Sequence, residues 1–264
     1  MLSTRFVTGS PSWLDVTTPD LDGAKSFYQG LFGWTWTSAG PEAGGYGTFA
    51  NAGKTVAGIM PTPVEQAAPQ WTVYFQADAA DATKAVQAAG GKVTLEPMDV
   101  LALGRMAVYE DPAGAAFAVW QPGTHKGVDQ VMDRNSLCWL ELYTTDTKGA
   151  ESFYSSVFGW DTVTMPLPGG EGDYTMANPA GEGQEAMFGG IVPLDSEPDG
   201  AVLGPYWTPY FEVADADATV SRAEELGGAV RMAPVSMEGI GRAAKLTDPY
   251  GARFAILASA TSGN

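Results

Sequence analysis

The sequence predicts an α+β fold built from four βαβββ modules. Three observations support this prediction: a composition rich in turn-forming residues, an internal repeat, and apolar residues that alternate along short segments. The 33 glycines and 18 prolines among 264 residues favour many turns and short elements over long helices. Hydrophobic residues make up 45% of the chain, which is enough for a folded core.

The first half of the chain is repeated by the second half. An aromatic opening segment, a helical segment and a closing turn recur in the same order. The extra residues of the second half fall at 169–190 and 195–204, where the turn-forming composition indicates loops. The matched blocks are 13–16 with 139–142, 26–28 with 152–154, 32–34 with 158–160, 71–75 with 207–211, 90–91 with 227–228, 104–105 with 241–242, and 111–112 with 248–249.

Each half contains a weaker repeat of its own, so that four modules follow one another. A short helix is predicted after each opening strand, with Asp near its start, and Gly90 and Gly227 stop two of these helices. Later segments such as 105–109 and 115–120 alternate apolar and small residues and are typical of strands. The opening strands begin at Trp13, Trp71, Trp139 and Trp207, and the helices are predicted at 21–31, 80–89, 148–157 and 216–226.

This organisation predicts two domains, at 1–122 and 137–264. The polar segment 123–136 lacks apolar periodicity and is predicted to be the linker between them. The modules are expected at about 11–62, 69–122, 137–195 and 205–260.

The charge of the chain excludes several classes of partner. A net charge of −17 with only 14 Lys and Arg argues against nucleic acid and against an anionic membrane surface, because both need clustered cations. No segment approaches the roughly 18 apolar residues of a membrane span, and the N-terminus lacks a basic region followed by an apolar stretch. We expect a cytoplasmic monomer or homodimer, with Cys138 as a small buried hydrophobe.

Two signatures in each half resemble the vicinal oxygen chelate superfamily of glyoxalases, bleomycin-resistance proteins and extradiol dioxygenases. The first runs from Asp20 through the Phe-Gly-Trp at 32–34 and recurs from Asp146, and the second joins Gly-Arg to Asp-Pro-x-Gly at 104–114 and again at 241–251. The chain is similar to the tandem members, in particular to actinobacterial hydroxylase-like or lyase-like proteins of antibiotic pathways. The resemblance implies that the modules pair, either within a half or across the halves, to form two glyoxalase-like eight-stranded cups.

The metal ligands of that superfamily have no counterparts in this sequence. The resemblance places them on the opening strand of each module, where this chain has tryptophan, and on the last strand, where it has Ala118 and Ala255. The single histidine, His125, lies in the predicted linker, where a solvated side chain is the expectation. Because zinc and iron sites of this kind need imidazole and carboxylate together, we predict no metal and no other cofactor.

Aromatic side chains are predicted to line the cups instead. Four inward-facing indoles, those of Trp13, Trp71, Trp139 and Trp207, would suit an aromatic or polycyclic small molecule. By parity with these tryptophans, Phe75 and Phe211 are predicted to point inward as well. The alternative is that a tryptophan at the start of a strand simply fills a core.

Four polar residues are the candidate catalytic groups. Asp15 and Glu141 follow Trp13 and Trp139 on the same strand face, where a carboxylate could transfer protons. Arg105 and Arg242 could hold an enolate or phenolate oxygen. The alternatives are a structural hydrogen bond for each arginine and bonds to backbone amides for each acid.

The sequence therefore indicates a metal-independent protein that binds a bulky aromatic, polyketide-like molecule. The resemblance implies a tailoring oxidoreductase or lyase, or an accessory to a hydroxylation step, in natural-product biosynthesis. The alternative is a resistance protein that sequesters an antibiotic or metabolite without catalysis. Metal-dependent isomerisation of the glyoxalase type is disfavoured by the missing ligands.

Overall fold

The structure, a computed structural model, describes residues 1–62, 68–167, 172–197 and 204–260. The loops predicted at 169–190 and 195–204 lie partly outside the described residues. Within the described part of the chain, no helix is long and apolar enough to cross a membrane.

The helices and strands follow one another as βαβββ, four times over, as predicted. The helices of the described residues are α1 (Leu21–Phe32), α2 (Ala79–Ala88), α3 (Thr147–Phe158) and α4 (Ala216–Glu225). The strands of the first half are β1 (Pro11–Thr18), β2 (Thr35–Ser38), β3 (Gly47–Asn51), β4 (Lys54–Pro61), β5 (Trp71–Gln76), β6 (Lys92–Val100), β7 (Gly104–Glu110) and β8 (Ala116–Pro122). Those of the second half are β9 (Leu137–Thr144), β10 (Asp161–Pro166), β11 (Asp173–Asn178), β12 (Gly189–Pro193), β13 (Tyr206–Glu212), β14 (Ala229–Met237), β15 (Gly241–Thr247) and β16 (Arg253–Ser259).

Local capping explains where the helices begin and end. The side chain of Asp20 accepts a hydrogen bond from the Gly23 amide at 3.1 Å and caps the start of α1. The same helix ends at Gly33, whose φ of 71° is a left-handed conformation that favours glycine. Asp146 and Gly159 cap α3 in the same way. The predicted helices are confirmed to within one residue at each end.

Each half of the sequence forms one eight-stranded sheet. The strand orders are β2-β3-β4-β1-β5-β8-β7-β6 and β10-β11-β12-β9-β13-β16-β15-β14. The opening strand of a module pairs in parallel with its last strand, as in β1 with β4 and β9 with β12, and the other pairs within each module are antiparallel. The α+β prediction is confirmed.

The chain divides into two compact units that cut across the two halves. The first unit consists of Met1–Trp13, Thr72–Gly127 and Trp139–Thr208, and therefore combines the second and third modules. The second unit consists of Leu14–Trp71, Val128–Cys138 and Pro209–Asn264, and combines the first and fourth modules. Strands thus pair within a half, whereas each compact core draws on both halves.

An aromatic core fills each unit beneath a helix. In the second unit, Phe27 and Tyr28 of α1 contact Phe254 of β16, with ring centroids about 6 Å apart. In the first unit, Phe153 and Tyr154 of α3 contact the corresponding side chain of β8, Phe117. Burial of such rings supplies a large part of the apolar stabilisation of a core.

Candidate functional site

One face of each sheet is turned away from the helices, and we call it the far face. Asp15 of β1 lies beside Gly58 of β4. The residue before Gly58, Ala57, pairs with Phe49 of β3, and this pair points to the other side of the sheet. That other side faces α1, because the ring of Phe49 contacts Tyr28 at 5.8 Å. Since residues in register share a face, Asp15 lies on the far face.

Asp15 is a buried carboxylate with a tyrosine partner. Only 3% of this residue is exposed, and Tyr46 donates its hydroxyl to Asp15 Oδ2 at 3.4 Å. A Cβ atom at Gly58 would come within 2.2 Å of the Tyr46 hydroxyl. The glycine therefore leaves the space in which the phenol lies beside the carboxylate.

Glu141 holds the same place in the second half and has two tyrosine partners. It lies beside Gly190 of β12, and a Cβ there would come within 2.3 Å of the Tyr174 ring. Tyr174 donates to Glu141 Oε1 at 3.0 Å, and Tyr143 donates to the other carboxylate oxygen. Both halves thus carry an acid, a glycine and a tyrosine in the same arrangement.

Trp139 extends this chain of hydrogen bonds. Its indole Nε1 donates to the Tyr174 hydroxyl oxygen at 2.8 Å. Burial raises the pKa of Tyr174 well above its usual value, and the nearby charge of Glu141 raises it further. Tyr174 is therefore held as a protonated donor at neutral pH.

A stacked pair of tyrosines links Glu141 to a buried acid, Glu197. Tyr143 stacks on Tyr206 with ring centroids 5.4 Å apart and an interplanar angle of 28°. Tyr206 donates to Glu197 Oε2 at 2.9 Å, and Glu197 is 8% exposed. We call this group, which lies within the first compact unit, the tyrosine–glutamate cluster: Trp139, Glu141, Tyr143, Tyr174, Glu197 and Tyr206.

Trp13 lies against the single histidine. The imidazole of His125 meets the Trp13 ring edge-on at 4.5 Å and the Trp120 ring at 5.7 Å. Trp120 also donates its indole N–H to the His125 carbonyl at 3.0 Å. The expectation of a solvated linker histidine was wrong, because the chain after β8 turns back and brings the side chain between two indoles, where it is half-buried.

Trp71 and Trp207 are side chains of the aromatic cores. Trp71 donates to the Tyr28 hydroxyl at 3.1 Å, and Tyr28 donates to Asp248 Oδ2 at 3.1 Å. The same series of hydrogen bonds occurs in the first unit. Trp207 Nε1 donates to the Tyr154 hydroxyl at 3.0 Å, and Tyr154 donates to Asp111 Oδ2 at 3.2 Å. The core-filling alternative describes these two tryptophans, which corrects their assignment to a cup lining.

Burial raises the pKa values of both tyrosine–aspartate pairs, Tyr28 with Asp248 and Tyr154 with Asp111. It raises the pKa of Asp111 and of Asp248 above the usual value of 3.8, and hydrogen bonds from backbone amides of the following turn partly offset this effect. The pKa values of Tyr28 and Tyr154 are raised well above the ordinary range, first by burial and then by the adjacent carboxylates. The two tyrosine–aspartate hydrogen bonds therefore pair polar groups inside the aromatic cores.

Phe75 and Phe211 also point toward the helices. Phe75 packs on Phe158 of α3, and Phe211 packs on Phe32 of α1, with centroids 5.3 and 5.2 Å apart. Phe75 also contacts Trp207, and Phe211 contacts Trp71, so each phenylalanine shares a core with a tryptophan of another strand. The assigned face was wrong, because those tryptophans themselves face the cores.

Arg105 and Arg242 form exposed ion pairs. Arg105 donates to the Pro97 carbonyl at 3.2 Å and to the Asp99 carboxylate at 3.3 Å. Arg242 donates to both Asp217 oxygens at 2.6 and 2.8 Å, and this bonding lowers the pKa of Asp217. These contacts match the structural alternative for the two arginines.

A cavity of about 330 Å³ lies elsewhere in the first unit. Its lining includes Arg5 and Val7 of the N-terminal segment, together with Glu182 and Phe188. None of the predicted site residues lines this cavity.

Reasoning from the sequence missed the tyrosines and Glu197. Tyr46 and Tyr174 stand in irregular, glycine-rich sequence, which has no periodicity to assign a face. A signal was available in Gly58 and Gly190, because a glycine next to an acid in the middle of a sheet indicates that another group lies across it.

The chain belongs to the glyoxalase/bleomycin resistance protein/dioxygenase superfamily. The sequence model of this superfamily matches residues 10–119 and residues 136–256, which gives one match in each half. This result confirms the tandem relationship inferred from the repeated signatures.

Two similar proteins come from streptomycetes. The anthracycline biosynthesis protein DauV of Streptomyces sp. (strain C5) is 42% identical over 96% of this chain and 94% of its own length. The anthracycline biosynthesis protein DnrV of Streptomyces peucetius matches with the same identity and coverage.

Solved structures show the same fold at low identity. A Mn(II)-bound glyoxalase from Novosphingobium aromaticivorans has a TM-score of 0.62 and 15% identity, over 94% of this chain and 82% of that one. The 2,3-dioxygenase LapB from Pseudomonas sp. KL28 has a TM-score of 0.63 and 16% identity, over 98% and 96% of the two chains.

The residues of this chain do not fit a metal of the kind that this superfamily implies. Trp13 and Trp139 occupy opening-strand positions, and indole is not a metal ligand. Asp15 and Glu141 accept hydrogen bonds from tyrosines and belong to different compact units. No group of three or more His, Cys, Asp or Glu in the described residues is placed to hold a metal ion.

Proposed function

We propose that this protein binds a bulky aromatic small molecule on the far face of its sheets and modifies it without a metal, in natural-product biosynthesis. The observation that carries the proposal is the Glu141 carboxylate, held by Tyr143 and Tyr174 and backed by Trp139. The printed names of the relatives, both anthracycline biosynthesis proteins, support the biosynthetic setting and an aromatic polyketide-like ligand.

The chemistry that we propose for Glu141 is proton transfer. The carboxylate takes a proton from an acidic C–H beside a ligand carbonyl, and the electron pair of that bond remains on the ligand as an enolate. Return of the proton to another atom of the ligand completes an isomerisation or prepares an elimination, and neither step needs an oxidant. Asp15, with Tyr46, is proposed for the same role in the first half.

Aromatic side chains on the same face supply the binding energy. Trp139 neighbours Glu141 on its strand, and a flat ring stacked on this indole gains contact area with little loss of side-chain entropy. Arg105 and Arg242 have no part in this proposal, since their guanidinium groups are held in exposed ion pairs.

The test measures proton abstraction directly, with 1-tetralone as the probe. Deuterium incorporation beside its carbonyl is followed by NMR in D₂O, with protein treated with EDTA. We expect the wild type to accelerate exchange. Glu141→Gln should reduce this acceleration at least about tenfold, because a general base is lost. Glu238→Gln, which makes the same charge change on an exposed hairpin, serves as the matched control.

Other outcomes would overturn parts of the proposal. Exchange that disappears with EDTA and returns with a divalent metal would contradict metal independence. Tight binding of 1,8-dihydroxyanthraquinone, with neither exchange nor conversion of any aromatic ketone, would favour the sequestering protein instead.

A further inference from the structure

The tyrosine–glutamate cluster has already used its hydrogen-bond donors internally. The phenol protons of Tyr143 and Tyr174 go to Glu141, and that of Tyr206 goes to Glu197. The indole proton of Trp139 goes to Tyr174. Carboxylate and phenol oxygens have several lone pairs each, so the cluster offers acceptors to a ligand and no further donor.

A buried hydroxyl group beside the cluster has no partner. Thr208 is 3% exposed, and its Oγ1 makes no hydrogen bond. Alternation along β13 puts Thr208 on the same face as Tyr206, whereas Trp207 between them points into the core. Neighbouring strands β9 and β13 are antiparallel, with Ser136 bonded to Glu212 at one end and Tyr143 stacked on Tyr206 at the other. Glu141 lies two residues before Tyr143 and Thr208 two residues after Tyr206, so the stacked tyrosines place Glu141 and Thr208 close to each other on this face.

A buried hydroxyl without a partner is unfavourable, so it marks a place where a ligand atom can bind. The site presents two carboxylates, two stacked π faces and a hydroxyl. An anion would be repelled by the two carboxylates, and a carbonyl would find a single donor, the Thr208 hydroxyl. A protonated amine has three N–H donors, a positive charge for Glu141 and Glu197, and an affinity for tyrosine rings.

We propose that the tyrosine–glutamate cluster binds a protonated amine of the ligand. Thr208, Glu141 and Glu197 accept its N–H groups, and the Tyr206 ring contacts the cation. The net charge of −17 adds a long-range attraction for such a ligand. The inference deepens the proposed function by naming the ligand class as an aromatic amine in its ammonium form.

Among the described residues of the first half, the two tyrosine positions are occupied differently. The positions that correspond to Tyr143 and Tyr206 are Thr17 and Gln70. Thr17 donates its hydroxyl to the Gln70 carbonyl at 3.3 Å and accepts from the Gln70 amide at 3.1 Å. This pair therefore has no aromatic face, and the ammonium site belongs to the second half alone.

The test compares benzylamine, which is an ammonium ion at pH 7, with uncharged benzyl alcohol. Binding to the full chain is measured by isothermal titration calorimetry and tryptophan fluorescence at 150 mM salt, where nonspecific attraction is screened. We expect one saturable site for benzylamine and affinity for benzyl alcohol at least about tenfold weaker. Glu197→Gln and Thr208→Val should each weaken benzylamine binding about three- to tenfold.

Two controls separate recognition from damage to the fold. Glu238→Gln makes the same charge change on an exposed hairpin and should leave benzylamine binding unchanged. Thermal denaturation of Glu197→Gln and Thr208→Val checks that both variants remain folded, so that weaker binding cannot be a result of damage to the fold. Equal binding of the two probes, or unchanged binding in both Glu197→Gln and Thr208→Val, would overturn the inference.

The test also separates this inference from the proposed function. Benzylamine binding that depends on Glu197, without exchange of 1-tetralone, would support the ammonium site and count against proton transfer. Exchange that depends on Glu141, with no preference for benzylamine, would do the reverse.

Discussion

Tyr28 and Tyr154 explain at the level of single residues why two of the superfamily signatures occur together. Each tyrosine belongs to the helix signature, and each donates to the aspartate of an Asp-Pro-x-Gly turn, Asp248 or Asp111. That turn comes from the other half of the sequence. The hydroxyl also accepts from a buried indole, so its removal leaves a buried donor and a buried acceptor without this bond.

Replacing Tyr154 by phenylalanine tests this role. We expect Tyr154→Phe to lower the free energy of unfolding by about 1–3 kcal/mol, because Trp207 Nε1 loses its acceptor and Asp111 loses a donor. Urea denaturation followed by tryptophan fluorescence measures the change. Tyr250→Phe, which removes an exposed hydroxyl bonded to Asp20, should have a much smaller effect. Equal losses in the two variants would contradict the structural role of the buried chain.

The raised pKa of Asp111 predicts a pH dependence of stability. Because its pKa is higher in the folded than in the unfolded chain, the folded state binds more protons between the raised value and the ordinary value of 3.8. As pH falls through this interval, wild-type stability should rise relative to Asp111→Asn, and the difference should level off below it. Parallel denaturation curves from pH 7 to pH 4 measure the difference, and a constant offset would contradict the raised pKa.

At the level of elements, β4 and β12 are shaped by the tyrosines that cross them. Gly58 and Gly190 sit next to the acids of the opening strands, and the phenols of Tyr46 and Tyr174 occupy the space that a side chain would take. The pairing of strands therefore determines where each phenol can reach its carboxylate.

A double-mutant cycle tests this packing on β12. Gly190→Ala should cost about 1–3 kcal/mol of stability, because its Cβ overlaps the Tyr174 ring and displaces it from Glu141. In a Tyr174→Ala background the same substitution should cost much less, since the overlapping ring is gone. Thermal and urea denaturation of the four proteins give the coupling. Additive losses would show that the glycine is needed for some other reason.

At the level of the whole molecule, the cores and the sheets follow different divisions of the chain. Each sheet takes its strands from one half, and each compact unit takes modules from both. In the second unit, the apolar face of α1 packs on Phe211 and Phe254 of the second half. A half expressed alone would leave these aromatic faces exposed to water.

Separate halves are therefore expected to fold poorly. Residues 1–122 alone and 137–264 alone should give poorly dispersed ¹H–¹⁵N spectra or aggregate, because each exposes half of two cores. Mixing or co-expressing the fragments should restore dispersion and a 1:1 complex in size-exclusion chromatography. A well-dispersed monomeric spectrum from 1–122 alone would show that the first predicted domain is an independent folding unit.

The sequence by itself determined the features that depend on neighbours in the chain. Helix boundaries follow from local caps such as Asp20 and Gly33, and strand alternation shows which residues share a face. The internal repeat and its signatures revealed the superfamily, and the repeat placed Asp15 and Glu141 at equivalent positions of two opening strands.

Only the tertiary structure decided which face the helices cover and which modules share a core. Alternation groups Trp71 with Phe75 but does not say which side is buried, since that depends on a helix from a distant module. The tyrosines that hold Glu141, and the pairing of Glu197 with Tyr206, bring together residues far apart in sequence. Such contacts depend on the position of whole elements, which local sequence preferences do not encode.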